Sequence, residues 1–376
     1  MNNQVSAKAD IAQIRIGFVG DFGLGTAHTK LLAELGDEVL HSEVLALLSS
    51  VDLLIGNLEC TIQDRDASGE LTANLFVASS VTTALVRVPN LHLCLANNHI
   101  ADYGLSGLKS TLDTLSRSAI PHFGAGCTYA DAVSPHVVDV RDRTVGFVCG
   151  AEFAYANATA HRFGSAPMDM ARLVHQVQSL KKRCDFVIVI LHADQEFVDH
   201  PSPRRVRFSR RLVDCGADAV IQHHPHVVQG METYKGKTIA YSLGNWAFAI
   251  GEYQGGYQQT RYGAFLALEL GPVVQAATVT HVAIDHQFHR PAELLPGEVR
   301  SQVQRLEELS ADLKRPQVLR GSWRTTCRLA LLDEAMGLYY MLRKNGPWAC
   351  VKRIRHLVAE PLFRHQLLGV LTRGWL

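Results

Sequence analysis

The sequence predicts an α/β fold followed by a helical extension, and three observations support this prediction. From residue 14 to about residue 285, short apolar runs rich in β-branched residues alternate with stretches of helical periodicity, a pattern typical of buried strands joined by helices. After Pro291 strand patterns become rare, and Leu, Arg and Lys recur at helical spacing. Polar residues follow the ends of several apolar runs, where open α/β sheets bind ligands. We therefore predict one domain over residues 14–290 and a basic helical extension over residues 291–376.

The predicted strands are apolar runs bounded by turn residues. Seven of them are IRIGFV, DLLIGNL, LHLCLA, TVGFVC, DFVIVIL, DAVIQ and TIAYSL. The later pair AFLALEL and AATVTHVAI predicts a hairpin. Residues 204–215 predict a helix that ends before Gly216. In the extension, Val351, Ile354, Leu357 and Val358 share one side of a predicted amphipathic helix.

Composition excludes several classes of protein. The chain has 376 residues, of which 47% are hydrophobic and 19% charged, enough to bury a large core. No apolar run approaches the roughly 20 residues of a membrane-spanning helix, and the polar amino terminus does not resemble a signal peptide. The 8 cysteines include no C-x-x-C pair, which argues against a disulfide framework or a zinc ribbon. We expect a cytoplasmic protein, with peripheral contact at the inner membrane face as a further possibility.

Charge is distributed unevenly along the chain. Residues 314–376 hold 12 Lys and Arg against 3 Asp and Glu, whereas the rest holds 25 against 33. Such a basic tail favours contact with an anionic lipid surface, an acidic polymer or a synthase complex. Docking of the tail on the protein's own acidic body is an equally good interpretation. Nucleic-acid binding is not expected, because the body is acidic and the tail has no recognition motif.

Residues that can bind metal ions occur just after the ends of the apolar runs. If those runs are parallel strands, one crevice would collect these side chains: Asp21, Asn57, Glu59, Asn97, Asn98, His99, Asp102, His192, Asp194, Glu196, His223, His224 and His226. A single Asp or His in such a place is more often a turn or capping residue. The cluster HHPH, in which Pro225 separates two histidines, instead favours a site for zinc, manganese or iron.

The segment LANNHIADYG also indicates a polar site, because asparagine is a poor strand residue. Asn98 can bind a metal through its amide oxygen, and His99 can act as a general acid toward a leaving group. A histidine hydrogen-bonded within the turn is the alternative for His99. The glycines of GDFGLG do not have the spacing of a dinucleotide motif, and no Walker lysine follows them. A nucleotide cofactor is therefore not expected.

Six motifs occur in order between residue 14 and about residue 250. They are VGDFGLG, GNLECTI, LANNHIADYG, HADQEF, GADAVIQHHPHVVQG and YSLGNWAF. This ordered set resembles the CapA family of capsule and poly-γ-glutamate synthesis proteins, within the calcineurin-like metallophosphoesterase superfamily. The resemblance implies a four-layer α-β-β-α sandwich with a metal centre at the carboxyl ends of its strands. The tail after Pro291 lies outside the resemblance.

The resemblance also implies roles for individual residues. It assigns to the metal Asp21, Asn57, Glu59, Asn98, His192, His224 and His226. It assigns catalysis to His99 and Asp102. Substrate binding is assigned to His223, Glu196 and Asn245.

The chain departs from the family pattern at several positions. It has His192-Ala193-Asp194 where the family commonly has H-W-G, and Gln222 where it commonly has glycine. Calcineurin-like enzymes usually carry a histidine two residues after the first aspartate, where this chain has Gly23. The last difference weakens the expectation of two metal ions.

These observations predict a metal-dependent hydrolase of phosphoester or amide bonds in capsule, poly-γ-glutamate or related exopolymer biosynthesis. It would use one or two divalent ions of zinc, manganese or iron. Its substrate would be an anionic polymer or a phosphorylated small molecule. The alternative is a non-catalytic, metal-binding accessory subunit of a polymer synthesis or export complex.

Overall fold

Two β-sheets packed face to face, each covered on its outer side by helices, form the body of the protein. We describe the fold from a computed structural model, which describes residues 13–36, 40–64, 75–153, 155–248, 258–271, 275–284, 290–359 and 361–371. Nearly all of the amino-terminal segment on which the signal-peptide expectation rests lies outside these ranges.

The strands of the described residues are named in chain order. They are β1 (Ile14–Gly23), β2 (Leu53–Leu58), β3 (Thr61–Ile62), β4 (Phe76–Val77), β5 (Leu91–Cys94), β6 (His122–Phe123), β7 (Ala125–Gly126), β8 (His136–Val140), β9 (Arg143–Ala151), β10 (Gly164–Ser165), β11 (Phe186–His192), β12 (Ala219–His223), β13 (Met231–Tyr234), β14 (Lys237–Ala240), β15 (Asn245–Phe248), β16 (Tyr262–Leu270), β17 (Gln275–Ile284) and β18 (Pro291–Ala292).

The α-helices of the same residues are named likewise. They are α1 (Thr26–Leu35), α2 (Ser42–Leu48), α3 (Thr82–Leu85), α4 (Gly104–Arg117), α5 (Tyr129–Val133), α6 (Met170–Leu180), α7 (Pro203–Asp214), α8 (Pro296–Asp312), α9 (Pro316–Asn345), α10 (Pro347–Ala359) and α11 (Pro361–Leu371).

The first sheet has the order β18-β17-β16-β1-β2-β5-β6, and β15 also pairs with β1. Its strands β1, β2, β5 and β6 are parallel, as is β15 to β1. The second sheet has the order β13-β14-β12-β11-β9-β8, with a parallel centre and antiparallel edge strands. Parallel strands end at one edge of a sheet, so each sheet collects its strand-end residues on one side.

Alternating side chains of the strands build three apolar layers. Ile16 and Phe18 of β1 lie in the layer between the sheets with Phe147 of β9 and Ile188 of β11. The opposite face of the first sheet packs on α1, α2 and α4. The outer face of the second sheet packs on α6 and α7. Two sheets between two helical layers confirm the predicted α-β-β-α sandwich.

The local predictions agree with these elements. All seven predicted strands are present, and the predicted hairpin is the antiparallel pair of β16 and β17. The predicted helix over residues 204–215 is α7, which begins at Pro203 after Ser202 accepts a hydrogen bond from the Arg205 backbone N–H at 3.2 Å. The chain leaves this helix through Gly216, whose φ of +113° favours glycine.

The carboxyl-terminal helices contact the body of the protein. Strand β18, at the predicted boundary, pairs with β17 of the first sheet, and α8 begins at Pro296. Leu313 and Leu319 join the apolar layer that covers the second sheet. Within the described ranges, no helix is both long enough and apolar enough to cross a membrane. The division at residue 290 stays a prediction.

Gly20→Ala tests the closest backbone contact in the first sheet. A Cβ at Gly20 would lie 2.2 Å from the carbonyl oxygen of Gly244, so β1 and the backbone at Gly244 would have to separate. We expect the free energy of unfolding to fall by about 1–3 kcal/mol or more. Thermal and denaturant unfolding measure this change.

Gly321→Ala is the matched control, because Gly321 lies inside α9 and a Cβ there meets no atom within 4 Å. Alanine should stabilise that helix by about 0.5–1 kcal/mol. Equal effects of the two substitutions would contradict the close packing at Gly20.

Candidate metal centre

The predicted metal residues converge at the carboxyl ends of strands from both sheets. Asp21 of β1 is in register with Asn57 of β2 and with Asn245 of β15. His192 ends β11 beside His223, which ends β12. The two sheets face each other, so the strand ends of each contribute to one crevice.

Asp21 is the most heavily contacted carboxylate of the crevice. Asn57 donates a 2.8 Å hydrogen bond to its Oδ1, and the backbone N–H of His224 donates one of 3.1 Å to its Oδ2. His223 Nδ1 lies 3.0 Å from Oδ1. Burial alone would raise the pKa of Asp21, but the contact with His223 and the nearby imidazoles hold that pKa below its usual range. Asp21 is therefore ionised and accepts several hydrogen bonds.

Glu59 has the opposite environment. Its side chain is fully buried, and neither carboxylate oxygen has a hydrogen-bond partner. Oε1 instead lies 3.3 Å from His192 Nε2 and 3.8 Å from His226 Nε2. Burial, together with the charge of Asp21, raises the pKa of Glu59 well above its ordinary value. A buried carboxylate without partners is costly, and a cation would satisfy it.

Ring nitrogens of several histidines lie close together in the same place. Burial lowers the pKa of His192 and of His224 well below the ordinary value, so both rings are neutral. His192 Nε2 lies 3.1 Å from His224 Nδ1 and 2.8 Å from Asn98 Oδ1. Neutral imidazole is the form that binds metal ions.

Among the residues that the structure describes, three overlapping triads of side chains have ligand atoms within 4.8 Å of one another. They are Glu59 with His192 and His224, Glu196 with His224 and His226, and Asp21 with Glu59 and His226. The combination of imidazole nitrogen and carboxylate oxygen suits zinc, manganese or iron. Together with the unsatisfied Glu59 carboxylate, this donor set fits a divalent metal ion.

The backbone is strained where it presents these ligands. His224 has a φ of +100°, His226 of +57° and Asp194 of +87°. Residues other than glycine rarely adopt the left-handed region, and such strain is concentrated at functional sites. Pro225 separates the two histidines, and the ring centroids of the histidines lie 5.7 Å apart.

His99 and Asp102 form a pair at the edge of the crevice. His99 Nδ1 lies 2.7 Å from Asp102 Oδ2, and each side chain is 17% exposed. His99 Nε2 lies 3.9 Å from Glu59 Oε1. The turn is held by Asn97, whose Oδ1 accepts hydrogen bonds from the backbone N–H groups of His99 and Ile100. One ring nitrogen of His99 is thus held by Asp102, and the other faces the metal ligands.

The residues assigned to substrate binding lie in different environments. Glu196 is 29% exposed on its side chain, with Oε1 3.9 Å from His224 Nε2. His223 and Asn245 are buried: His223 contacts Asp21, and Asn245 Oδ1 lies 3.0 Å from His226 Nδ1. Direct contact of these three with a substrate stays a prediction. The geometry of His223 and Asn245 is that of residues which orient Asp21 and His226.

Asn57 contacts two other predicted ligands through its amide nitrogen and not through its oxygen. Its Nδ2 donates to Asp21 Oδ1 and lies 3.2 Å from His192 Nδ1, and its Oδ1 accepts a 3.3 Å hydrogen bond from Asn97. The role of Asn57 as a metal ligand therefore stays a prediction, whereas Asn98 Oδ1 does face His192.

A buried ionic network beside the histidines was not predicted. Glu152 forms ion pairs with Arg204 and, at 2.7 Å, with Arg205, and it accepts a hydrogen bond from the Asp194 backbone N–H. Burial alone would raise the pKa of Glu152, but the two arginines lower it. Glu152 directly follows β9. A polar residue just after the end of an apolar run is the pattern that identified the other candidate site residues. The network supports the loop that carries Asp194.

A cleft opens beside Glu196. Its volume is about 730 Å³, and its walls are the segment from Gln195 to His200 and the α9 residues Ser322, Thr325, Thr326, Leu329, Ala330 and Asp333. An adjoining cavity of about 560 Å³ shares Gln195, Ala330 and Asp333. The carboxyl-terminal extension thus forms one wall of the space next to the candidate metal centre.

Comparisons with known proteins identify relatives of the chain. The family model described as "Bacterial capsule synthesis protein PGA_cap" matches residues 15–249. "Capsule biosynthesis protein CapA" of Bacillus anthracis is 32% identical over 254 residues, which cover 64% of this chain and 61% of that protein. "PGA biosynthesis protein CapA" of Bacillus subtilis is 31% identical over 261 residues, 67% of each chain.

A second group of relatives carries a different description. The "Probable polyglutamine synthesis accessory protein" of Mycobacterium tuberculosis is 32% identical over 234 residues, which cover 57% of this chain and 60% of that protein. Among solved structures, a hypothetical protein from Thermus thermophilus matches with a TM-score of 0.42 and 16% identity, covering 71% of this chain and 99% of that chain.

The family match contains every residue assigned to the candidate site, from Asp21 to Asn245, and ends before the carboxyl-terminal helices. It covers more than half of the sequence, in agreement with the six motifs. The chain therefore belongs to the bacterial capsule synthesis protein PGA_cap family, the CapA family that its motifs resemble.

Proposed function

We propose that this protein is a metal-dependent hydrolase that cleaves a phosphoester or amide bond in capsule, poly-γ-glutamate or related exopolymer biosynthesis. The buried carboxylate of Glu59, which has no hydrogen-bond partner and lies among histidine side chains, carries the proposal. Such a group is destabilising without a cation, and the chain surrounds it with further donors. The names of the Bacillus relatives support the biological setting.

The residues that would hold the ion are among those that the resemblance assigned to the metal. The geometry favours those whose ligand atoms lie close together. Glu59, His192, His224, His226 and Asp21 contribute to the triads. A bound divalent ion supplies Lewis acidity and a water of lowered pKa. Phe153 and Phe248, whose rings lie 4.5 Å from His224 and 4.7 Å from His226, limit access of bulk water. Exclusion of water strengthens electrostatic interactions in the crevice.

His99 is the group best placed to transfer a proton. Asp102 accepts the Nδ1–H of His99 and stabilises the charged imidazolium, while Nε2 faces the site. In the protonated ring, Nε2–H can donate its proton to a departing oxygen or nitrogen. This division between an orienting carboxylate and a proton-transferring histidine supports hydrolysis.

The region around Gly23 favours one metal ion above two. A Cβ at Gly23 would lie 2.1 Å from the ring of Phe248, so the histidine that calcineurin-like enzymes usually carry there has no room. A single ion suits amide or peptide cleavage, whereas a pair would suit a phosphoester.

The charges of the side chains that line the cleft indicate which part of a substrate could bind there. Among its described lining residues are Glu196, Asp199 and Asp333, and none is Lys or Arg. Asp199 pairs with Arg305 at 2.7 Å, and His200 with Asp312 at 3.0 Å. Amide and hydroxyl groups from Gln195, Thr325 and neighbouring residues dominate the remaining polar surface. We propose that the anionic group of a polymer or small-molecule substrate lies at the metal, and that uncharged parts occupy the cleft.

A non-catalytic accessory subunit is the second candidate. The burial of most proposed ligands supports it, because only Glu196, His99 and Asp102 of the assigned residues have substantial exposure. The Mycobacterium relatives are described as accessory proteins. In this case the metal would stabilise the fold and a binding surface.

Metal content is the first test. Freshly purified protein should contain about one zinc, manganese or iron per chain by elemental analysis, and His224→Ala and His226→Ala should lose most of it. His161→Ala, which removes an exposed histidine, should retain it. Folded wild-type protein that takes up no metal from added salts would contradict the hydrolase proposal.

Glu59→Gln separates metal binding from stability. Because the folded-state pKa of Glu59 is raised, this residue destabilises the metal-free protein above the unfolded-state pKa, and the effect grows as pH rises toward the folded-state pKa. At pH 8 without metal, glutamine should therefore raise the free energy of unfolding, by about 1–3 kcal/mol, while metal binding weakens. Denaturant titrations at pH 5 and pH 8, with and without metal, measure both. Lower stability of the metal-free variant at pH 8 would refute the argument.

His99→Asn should reduce kcat about 100- to 10,000-fold on a phosphoester or amide substrate identified by screening, and metal content should remain at the wild-type level. Asp102→Asn should reduce kcat and alter the pH dependence of the rate, because the carboxylate orients His99. His122→Asn, which changes a partly exposed histidine bonded to Ile120, is the control. Unchanged turnover in His99→Asn would remove His99 from the mechanism.

A further inference from the structure

Exposed large apolar side chains are concentrated on the carboxyl-terminal helices. On α9 they recur every three or four residues and form one stripe: Leu329, Leu332, Met336 and Tyr340. On α10 a second stripe has the same spacing: Trp348, Val351, Ile354 and Val358. Trp348 is 83% exposed. We call these eight residues the apolar helix face.

The two stripes belong to helices that contact each other. Arg353 of α10 forms a 2.7 Å ion pair with Glu334 of α9, and Cys350 Sγ lies 3.4 Å from the Leu338 carbonyl oxygen. Trp323 of α9 is buried and stacks on His365 of α11 with ring centroids 5.0 Å apart. On each helix one side therefore packs within the protein, whereas its four residues of the apolar helix face remain exposed. An exposed apolar surface of this kind marks an interaction site.

Basic residues accompany the apolar helix face. Residues 329–376, counted from the first residue of the apolar helix face, contain 7 Lys and Arg and 3 acids, Asp333, Glu334 and Glu360. Of the basic residues, Arg343, Lys344, Lys352 and Arg355 are exposed. Helices that combine a large apolar face with Lys and Arg, and with Trp and Tyr among the apolar residues, bind in the interfacial region of anionic membranes.

We propose that the apolar helix face docks the protein on an anionic lipid surface. The aromatic and aliphatic side chains would enter the interfacial region, and the exposed cations would contact lipid phosphates. A second copy of the chain is the less suitable occupant, because pairing two such faces would bring together two surfaces on which Lys and Arg outnumber Asp and Glu. The proposal does not depend on the metal centre or on hydrolysis.

Docking would bring the cleft close to the membrane. Leu329 belongs to the apolar helix face and also lines the cleft beside Glu196. The adjoining cavity is lined by Arg353 and Leu357 of α10 and by Phe363 of α11. The same helices therefore contact the proposed lipid surface and border the proposed substrate space. A substrate held at the membrane surface would reach the cleft without leaving that surface.

Vesicle binding by the full-length protein tests this proposal. The protein should co-sediment with phosphatidylglycerol-containing vesicles and not with phosphatidylcholine vesicles, and binding should weaken as salt rises from about 0.05 to about 0.5 M. Trp348 emission should shift to shorter wavelength on binding, a change absent from Trp348→Phe. Trp246 and Trp323 are each 1% exposed, so they should contribute little to the shift. Both proteins carry Trp375→Phe, which removes the remaining tryptophan.

Two pairs of variants separate specific docking from general stickiness. Met336→Ser with Trp348→Ser should weaken the partition coefficient roughly tenfold or more, whereas Val86→Ser, at an apolar residue 54% exposed on the body, should not. Lys352→Glu with Arg355→Glu should weaken it more than about 25-fold, since each surface cation contributes about fivefold. Lys109→Glu with Lys30→Glu reverses two exposed lysines of the body and should have little effect.

Three results would overturn the proposal. One is the absence of binding to phosphatidylglycerol vesicles by folded wild-type protein. Another is equal loss of binding in the control and test variants. The third is a stable dimer by light scattering that the Met336→Ser, Trp348→Ser variant converts to monomer without any vesicle binding, which would assign the face to a second copy.

Discussion

The close approach of three backbones beneath Asp21 is the constraint on which the rest of the site depends. Gly20 lies against the Gly244 carbonyl, and a Cβ at Gly263 would lie 1.8 Å from the Asn245 carbonyl oxygen. Strands β1, β15 and β16 therefore meet without intervening side chains. This packing lets the Asp21 N–H donate to Gly244 and brings Asp21 into contact with His223 and the His224 backbone.

Two buried carboxylates of the crevice, Asp21 and Glu59, have opposite electrostatic environments. Asp21 is stabilised as an anion by an amide, a backbone N–H and an imidazole, so it anchors the strand ends even without a cation. Glu59 has no such partners, and burial lowers the pKa of the nearby His192 and His224 well below the ordinary value. Asp21 is thus satisfied by hydrogen bonds within the fold, whereas Glu59 is not. The second sheet places further metal-ligand atoms near Glu59, those of His192, His224 and His226.

The carboxyl-terminal helices pack on the body of the protein and also line the cleft beside the candidate site. Their inner residues, including Leu313, Leu319 and Trp323, join the packing of the protein, while α9 lines the cleft. Arg305 and Asp312, both in α8, pair with Asp199 and His200 and hold this wall of the cleft against that helix. The extension lies outside the family match.

The sequence by itself determined the fold class, the strands and the edge at which the site lies, because apolar periodicity reports burial and strand ends gather polar residues. It also identified the family, since six ordered motifs are specific. Only the tertiary structure decided how these residues face one another. Asp21 and His224 are 203 residues apart, and strand register sets their contact. The buried settings of His223 and Asn245, the Glu152 network and the ring of Phe248 beside Gly23 depend on long-range packing, which local patterns do not encode.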